Sequence, residues 1–187
     1  MLKRVFDLTL ALMASLVLLL PMLAVALVVR LTSNGPALYW SDRVGRQNRI
    51  FRMPKFRTMR IDTPVVATHL LGDANRFLTP VGPFLRRTSL DELPQLWSIL
   101  RGDMSFVGPR PALYNQDDLI ELRTGCGVDQ LRPGLTGWAQ VNGRDELAIP
   151  EKVRFDEEYL RKQSILLDLR ILFLTAAKVF GGHGVSH

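Results

Sequence analysis

The uncharged segment from Leu8 to Val29 constrains the fold more than any other part of this sequence. It runs for 22 residues without Asp, Glu, Lys or Arg. As a helix it would be about 33 Å long, enough to cross a hydrocarbon core of about 30 Å. Arg30 ends the segment and no small-residue cleavage site follows, which argues against a removable signal peptide. The sequence therefore predicts a membrane-embedded helix over residues 1–31.

The charges on both sides of this helix favour a re-entrant path over a spanning one. Lys3 and Arg4 precede the segment, and eight Lys or Arg residues follow it between positions 30 and 60. The positive-inside tendency would keep both flanks in the cytoplasm. Pro21 removes a backbone hydrogen bond to the Val17 carbonyl and bends the helix. We expect a helix that enters the bilayer, bends at Pro21 and returns; a spanning helix is the alternative.

The remaining residues, 32–187, are expected to form one compact cytoplasmic domain. A chain of 187 residues, 47% of them hydrophobic, can bury a sizeable core, which excludes a disordered protein. Of the net charge of +6, residues 1–60 carry +8 and the remainder −2. A positive excess centred on an apolar segment favours anionic lipid as a partner and argues against nucleic acid. The single cysteine, Cys126, excludes a disulfide framework and a cysteine-based zinc site.

Local patterns predict an α+β fold dominated by helices, with a small β element. Extended segments are expected at 38–40 and 51–59, helices at 91–100, 112–124 and 151–180, a helical piece at 68–71, and a glycine-rich β stretch over 132–144 that closes on an Asn-Gly turn. The apolar positions from Ile165 to Phe180 suit a helix that lies on the membrane surface or packs on the first helix. We therefore expect interfacial amphipathic helices beside the membrane segment.

Adjacent carboxylates, Asp91 and Glu92, are the strongest candidates for chemistry. Ser89 and Glu92 fit a capping box, so helix capping is one alternative. Metal binding is a second, since hard oxygen ligands suit Mg²⁺, which also takes oxygens from substrate phosphates. Covalent catalysis is a third, with a carboxylate attacking an activated phosphorus to form an acyl phosphate. A phosphoanhydride substrate would suit this position, because a helix start and nearby arginines can offset developing negative charge.

Several basic residues lie in segments suited to binding phosphate. Arg86 precedes the dyad, and Lys55 follows a proline. Arg110 lies between two prolines, which lower the entropy lost when the guanidinium engages an anion. Arg132 precedes a Pro-Gly pair, and Arg144 follows an Asn-Gly pair. None of these is specific alone, but together with the membrane segment they indicate phosphate chemistry at a bilayer surface.

Four blocks of the sequence are distinctive when they are taken together: Lys-Phe-Arg-Thr-Met (55–59), Arg-Thr-Ser-Leu-Asp-Glu-Leu-Pro-Gln-Leu (87–96), Gly-Asp-Met-Ser-Phe-Val-Gly-Pro-Arg-Pro (102–111) and Arg-Pro-Gly-Leu-Thr-Gly-Trp-Ala-Gln-Val-Asn-Gly-Arg (132–144). They resemble the signature of the bacterial sugar transferase family, the monotopic polyprenol-phosphate phosphoglycosyl transferases. The similarity runs from Lys3 to the region 168–175. It implies transfer of a phospho-sugar from a UDP-sugar to undecaprenyl phosphate, with release of UMP, at the cytoplasmic face of the bacterial inner membrane. That reaction initiates membrane-linked glycan assembly.

The resemblance also implies roles for residues. Asp91 would be the nucleophile on the β-phosphate and a ligand of the required Mg²⁺, and Glu92 would assist as acid/base or as a partner in the metal site. Contacts to phosphate and nucleotide would fall to five basic residues: Lys55, Arg86, Arg110, Arg132 and Arg144. The family's first helix is re-entrant, in agreement with the flanking charges. Family members often have Ser directly before the bending proline, where this chain has Leu20.

The resemblance is to the small, core-only members, so we expect no multi-span N-terminal region of the kind that larger relatives have. Two other functions remain open on the sequence. One is a non-catalytic, membrane-tethered module that binds anionic lipid or nucleotide. The other is a conventional glycosyltransferase, which would move the sugar without its phosphate and release UDP.

Overall fold

The apolar segment lies within one helix, α1 (Leu2–Thr32), in a computed structural model that describes residues 2–64, 74–143 and 147–181. α1 has 31 residues and is continuous through Pro21, so it is about 46 Å long. Among the described residues it is the one helix long and apolar enough to cross a membrane. Its buried residues are Asp7, Ala11 and Val29, and most of its large apolar side chains are exposed. Such a surface requires an apolar surrounding.

An antiparallel hairpin follows α1. It consists of β1 (Leu38–Val44) and β2 (Ile50–Phe56), and its register pairs Tyr39 with Lys55 and Ser41 with Met53. The segment predicted as extended at 38–40 lies in β1, which continues four residues further than predicted. Of the segment predicted as extended at 51–59, residues 51–56 lie in β2. Because paired residues share one face of a sheet, the register places Tyr39 and Lys55 on the same side of the hairpin.

Helices dominate the rest of the described chain, as predicted. They are α2 (Gly82–Arg87), α3 (Leu96–Arg101), α4 (Asp117–Gly125), α5 (Trp138–Asn142), α6 (Ile149–Lys162) and α7 (Ile165–Gly181), with 3₁₀ segments at Arg46–Asn48, Ala74–Phe77, Leu90–Gln95 and Val128–Gln130. A second, two-stranded parallel sheet pairs β3 (Ser105–Val107) with β4 (Gly134–Thr136). The prediction of a helix-dominated fold with a small β element is therefore confirmed.

Two stretches differ from the sequence-based expectation, and a third lies outside the described residues. The β stretch predicted over 132–144 is a strand only at Gly134–Thr136; helix α5 follows, and the Asn142 side chain donates to the Trp138 carbonyl within it. The helix predicted over 151–180 is two helices, because Ser164 starts a new one by accepting a hydrogen bond from the Leu167 N–H. The helical piece predicted at 68–71 is not described.

A buried polar network fastens the N-terminal end of α1 to the domain; we call it the anchor network. Its members are Lys3, Asp7, Ser105, Tyr159 and Asp168. Lys3 Nζ lies 2.6 Å from Asp168 Oδ2, and the Tyr159 hydroxyl donates to Asp168 Oδ1 at 2.6 Å. Asp7 Oδ1 accepts from the Ser105 hydroxyl at 3.1 Å and from the Phe106 N–H at 3.2 Å.

The C-terminal end of α1 is fastened to the same domain. Arg57, directly after β2, is 5% exposed and donates from Nε to the Pro36 carbonyl at 2.7 Å. Its Nη2 donates to the backbone carbonyl and the hydroxyl of Ser33, and that hydroxyl donates to the Val29 carbonyl. Between the two ends, Ala11 packs in the main core with Ile99 and Phe106. Both ends of α1 therefore contact one and the same domain.

Candidate active site

The dyad lies in the 3₁₀ segment Leu90–Gln95, which leads directly into α3. Ser89, just before it, adopts a left-handed conformation (φ 56°, ψ 17°), and its side chain makes no capping hydrogen bond. The capping-box interpretation of Ser89 and Glu92 is therefore wrong. A left-handed non-glycine residue costs on the order of 1 kcal/mol or more and is typical of functional sites. Here the strained residue lies two positions before Asp91.

Asp91 is held in an environment that disfavours its charge. It is 6% exposed, and its Oδ1 is buried without a hydrogen-bond partner among the described residues. Burial is the main cause that raises the pKa of Asp91 from 3.8 to about 6; Lys55 opposes this rise, Glu92 adds to it and Arg86 opposes it. A carboxylate with an orphaned oxygen and a raised pKa is poised to interact with something that the protein itself does not supply.

Glu92 is paired on both sides. Its Oε1 lies 2.9 Å from Lys55 Nζ, which comes from β2, and 3.6 Å from Arg110 Nη2, which comes from the loop after β3. The structure therefore brings Asp91, Glu92, Lys55 and Arg110 together, as the sequence predicted.

Arg86 also lies within electrostatic reach of Asp91. It is the penultimate residue of α2, and its Nε donates to the Thr58 hydroxyl at 3.1 Å. Burial lowers the pKa of Arg86, and the Asp91 carboxylate acts in the opposite direction. A partly buried guanidinium near a buried carboxylate is suited to receive an anion that the carboxylate attacks.

Arg132 is not brought to the dyad. Its Nε donates to the Gly102 carbonyl at 2.8 Å. Gly102 lies at the far end of α3 from Asp91, and the helical stretch between these two residues is roughly 15–20 Å long. Burial lowers the pKa of Arg132, as do the charges of Arg4 and Arg46. Arg132 therefore stabilises the end of α3 together with Arg4, which donates to the Ile99 and Leu100 carbonyls. The other predicted contact, Arg144, lies outside the described residues.

Arg43 is a site residue that the sequence analysis missed. It donates from Nε to the Ser41 hydroxyl and from Nη1 to the Pro111 carbonyl. Burial, together with the nearby charge of Arg110, lowers the pKa of Arg43 to about 10, while Tyr39 and Glu92 act to raise it. The alternation Tyr39-Ser41-Arg43 puts these side chains on the Lys55 face of the hairpin. That alternation is visible in the sequence, but the sequence pattern predicts an extended segment only at 38–40.

An apolar cavity of about 340 Å³ opens beside the dyad. Its apolar walls come mainly from α1, α7, the dyad segment and the second sheet, with Leu18, Leu93, Phe106, Leu135, Leu172 and Val179 among the lining residues. Glu92, Arg110, Gln140 and Lys178 provide polar groups in the same lining. A cavity of this kind suits an amphiphile whose polar end reaches charged groups while its apolar part lies between helices.

The charges of the site are unbalanced. Among the described residues, the two carboxylates are surrounded by four cations: Arg43, Lys55, Arg86 and Arg110. An excess of two positive charges suits a bound dianion such as a diphosphate. Phosphate binding by converging guanidinium groups needs this kind of arrangement.

The chain is similar to a known protein family and to several named proteins. The sequence profile described as "Bacterial sugar transferase" matches residues 1–182. The chain is 41% identical over 188 residues to the UDP-glucose:undecaprenyl-phosphate glucose-1-phosphate transferase of Escherichia coli K12, covering 96% of this chain and 40% of that protein. It is 40% identical over 186 residues to the undecaprenyl-phosphate glucose phosphotransferase of Komagataeibacter xylinus, covering 92% of this chain and 35% of that one. With the uncharacterized sugar transferase EpsL of Bacillus subtilis it shares 40% identity over 187 residues, 99% of this chain and 90% of that protein. The chain thus spans about two fifths or less of the first two relatives and most of the third.

Proposed function

The chain belongs to the bacterial sugar transferase family, and we propose that it transfers a phospho-sugar from a UDP-sugar to undecaprenyl phosphate through a covalent intermediate on Asp91. The observation that carries this proposal is the state of Asp91: a buried carboxylate with an unpartnered oxygen and a raised pKa, amid an excess of cations and beside an apolar cavity. The name of the E. coli relative supports the donor class, and the names of the E. coli and K. xylinus relatives support the acceptor class.

The reaction proceeds in two displacements at one phosphorus. In the first, an oxygen of the ionised Asp91 carboxylate attacks the β-phosphorus of the UDP-sugar; the bond to the bridging oxygen breaks, and UMP leaves with that oxygen and the electron pair. In the second, a phosphate oxygen of undecaprenyl phosphate attacks the same phosphorus, and the bond to Asp91 breaks. The carboxylate is regenerated, and the product is undecaprenyl-diphospho-sugar, the start of a membrane-linked glycan.

The surrounding cations contribute to this chemistry through their positive charge. Arg86 and Lys55 flank Asp91, and Arg110 and Arg43 lie on the Glu92 side. They offset negative charge that accumulates on the phosphoryl oxygens in each displacement. Glu92, held by Lys55 and Arg110, orients these two cations and is placed to assist proton movement at the leaving or entering oxygen.

The donor set around Asp91 fits a divalent cation, which we take to be Mg²⁺. Among the described residues no group of three or more His, Cys, Asp or Glu side chains could form a complete metal site. Mg²⁺ is commonly bound by one or two carboxylates plus phosphate oxygens and water, so Asp91, with its unpartnered Oδ1, would hold it together with the diphosphate. When bound, the ion polarises the phosphate oxygens and offsets their charge.

The contacts of α1 support a proposal for the membrane arrangement. Lys3 and Arg57 fasten opposite ends of α1 to one domain, which favours both ends lying on the same side of the bilayer. We propose that α1 is re-entrant, that α7 lies at the interface with Leu166 and Phe173 exposed to lipid, and that the domain lies at the cytoplasmic face of the bacterial inner membrane. Leu2→Cys and Leu31→Cys, each in a Cys126→Ser background, change exposed side chains near the two ends of α1 and should label from the same side; labelling of the N-terminus from the periplasm only would contradict this topology.

The nucleotide that is released tests the reaction. Detergent-purified protein is incubated with a panel of UDP-sugars, undecaprenyl phosphate and Mg²⁺, and the products are separated by chromatography. Release of UMP that is lost in Asp91→Asn supports phosphoglycosyl transfer and identifies the donor. Release of UDP would instead indicate a conventional glycosyltransferase. A radiolabelled sugar retained on denatured wild-type protein, but not on Asp91→Asn, would reveal the covalent intermediate.

A further inference from the structure

Arg123 lies outside the dyad but bonds to the backbone of Arg110. It comes from α4, and its Nη1 donates to the Arg110 carbonyl at 2.8 Å. Its Nε and Nη2 both donate to Asp156 Oδ2, a residue of α6, at 3.0 and 2.6 Å. Both side chains are nearly buried, at 11% and 2% exposure. A planar guanidinium gripped by a carboxylate on one edge has its remaining nitrogens fixed in direction, so Asp156 aims Nη1 at the Arg110 carbonyl.

We propose that Arg123 and Asp156 are a positioning pair for Arg110, setting the loop that presents this guanidinium to Glu92 and to the donor's diphosphate. This inference rests on the proposed function for the role of Arg110. The pair touches neither carboxylate of the dyad; it acts through the loop backbone.

The loop around Arg110 has few backbone N–H donors of its own. It therefore depends on hydrogen-bond donors from other elements. Two of the residues around Arg110 are prolines, which have no N–H to donate. Each of the four successive carbonyls from residue 109 to residue 112 accepts one bond, from the Gly134 N–H, Arg123, Arg43 and the Val44 N–H respectively. The carbonyls of Arg110 and Pro111 thus accept hydrogen bonds from arginine side chains. The Arg110 guanidinium is 3.6 Å from Glu92.

Packing between α4 and α6 does not require the ion pair. A separate apolar cluster joins these helices beneath the loop, with Ala112, Leu119 and Val153 buried and Ile120 and Ile149 packed against them. Replacing a buried ion pair by apolar residues of similar size is often neutral or stabilising. What such a replacement removes here is the aimed donor to the Arg110 carbonyl.

The test is a double variant, Arg123→Met with Asp156→Leu, compared with Arg161→Met plus Glu157→Leu, which removes an exposed ion pair on the same helix α6. Both variants should keep the melting temperature of the wild type within a few degrees. The first should lose roughly 10- to 100-fold in kcat/KM for the UDP-sugar, because small misplacements of a positioned group cost rates of that order. The second should not change.

A double-mutant cycle separates positioning from a general structural role. If Arg123 and Asp156 act through Arg110, their replacement should cost less than twofold in an Arg110→Ala background, because the positioned side chain is already absent. An equal loss in both backgrounds would overturn the proposal, as would a loss that only follows the melting temperature, no loss at all, or an Arg110→Ala variant with wild-type kinetics.

Binding of UDP, measured by calorimetry without turnover, keeps this test independent of the proposed reaction. The positioning pair predicts weaker UDP binding in the double variant, and the difference should vanish in the Arg110→Ala background. If the wild type binds UDP in this pattern but releases no UMP from any UDP-sugar, the proposed function fails and the positioning role stands. If UDP binding is indifferent to the pair, the positioning role fails whatever the reaction.

Discussion

The anchor network and the dyad site both bury charged side chains, but they differ in whether the buried oxygens have hydrogen-bond partners. In the anchor network, Asp168 faces Lys3 and the Tyr159 hydroxyl, and within the described residues none of its buried side-chain oxygens lacks a partner. At the dyad, Asp91 has an unpartnered oxygen. One region is complete without a ligand, and the other is not.

This difference in hydrogen bonding distinguishes a structural contact from a candidate reaction site. A fully paired buried network stabilises one arrangement of the chain, since every alternative leaves a charge unpaired. An incompletely paired carboxylate instead costs folding free energy, which substrate binding can recover. Substitutions of the same chemical kind should therefore have opposite effects on stability in the two regions.

The largest effect is expected at Asp91. Asp91→Asn should lower the rate of UMP release by roughly a thousandfold or more, because an amide cannot form the covalent intermediate. Asp62→Asn, which changes an exposed carboxylate paired with Arg60, is the matched control and should keep wild-type kinetics. Near-normal turnover in a correctly folded Asp91→Asn protein would rule out the nucleophilic role.

Substitutions in the anchor network should lower the free energy of unfolding. Asp168→Asn leaves Lys3 without its counter-ion at a buried position, and breaking one side of a buried pair costs about 3–5 kcal/mol. Denaturant unfolding in detergent measures the change, with Glu157→Gln on the exposed surface of α6 as the control. A cost below that of an exposed pair, about 1 kcal/mol, would show that α1 is held mainly by its apolar contacts.

The same amide substitution at Asp91 should stabilise the protein, in a pH-dependent way. The folded-state pKa of about 6 lies above the unfolded value of 3.8, so ionisation of Asp91 destabilises the folded state as pH rises through this interval. Asp91→Asn should gain on the order of 3 kcal/mol in unfolding free energy at pH 7.5 and almost nothing below pH 4. Unfolding curves across this pH range measure the gain; a gain that is constant with pH would contradict the assigned cause.

The smallest effect is expected for Tyr159→Phe. Burial and the hydrogen bond to Asp168 raise the pKa of Tyr159, so its hydroxyl remains a donor at working pH. Removing it should cost about 1–3 kcal/mol, the penalty for leaving a buried acceptor short of one donor. Thermal unfolding measures the cost, and kcat/KM at low temperature should stay within about twofold of wild type, because Tyr159 does not touch the dyad.

Much of the site could be predicted because its residues lie in short, recognisable sequence motifs. The Pro-Arg-Pro segment and the Asp-Glu pair carry their chemistry in a few consecutive residues, and the structure brings Lys55, Glu92 and Arg110 together. Arg43 could not be identified in this way, since its role depends on where β1 ends and on its pairing with Leu113 across 70 residues.

Two further differences from local pattern have the same origin in long-range contacts. Arg132 lies beside a Pro-Gly turn in the sequence, yet its guanidinium binds the end of α3 because β3 and β4 pair in parallel next to it. The capping-box pattern failed because Ser89 takes a left-handed conformation. Local pattern predicts an N-cap from residue types alone, whereas backbone conformation at Ser89 is set by how α2 and the dyad segment join.

The contact between Lys3 and Asp168 joins residues 165 positions apart. At ordinary synthesis rates, the partner of Lys3 leaves the ribosome on the order of 10 to 30 s after Lys3 itself. Arg4 and Asp7 can reach their partners in residues 99–106 earlier in that interval. Lys3 is therefore the last of these N-terminal charges to be paired, and its contact waits for α7.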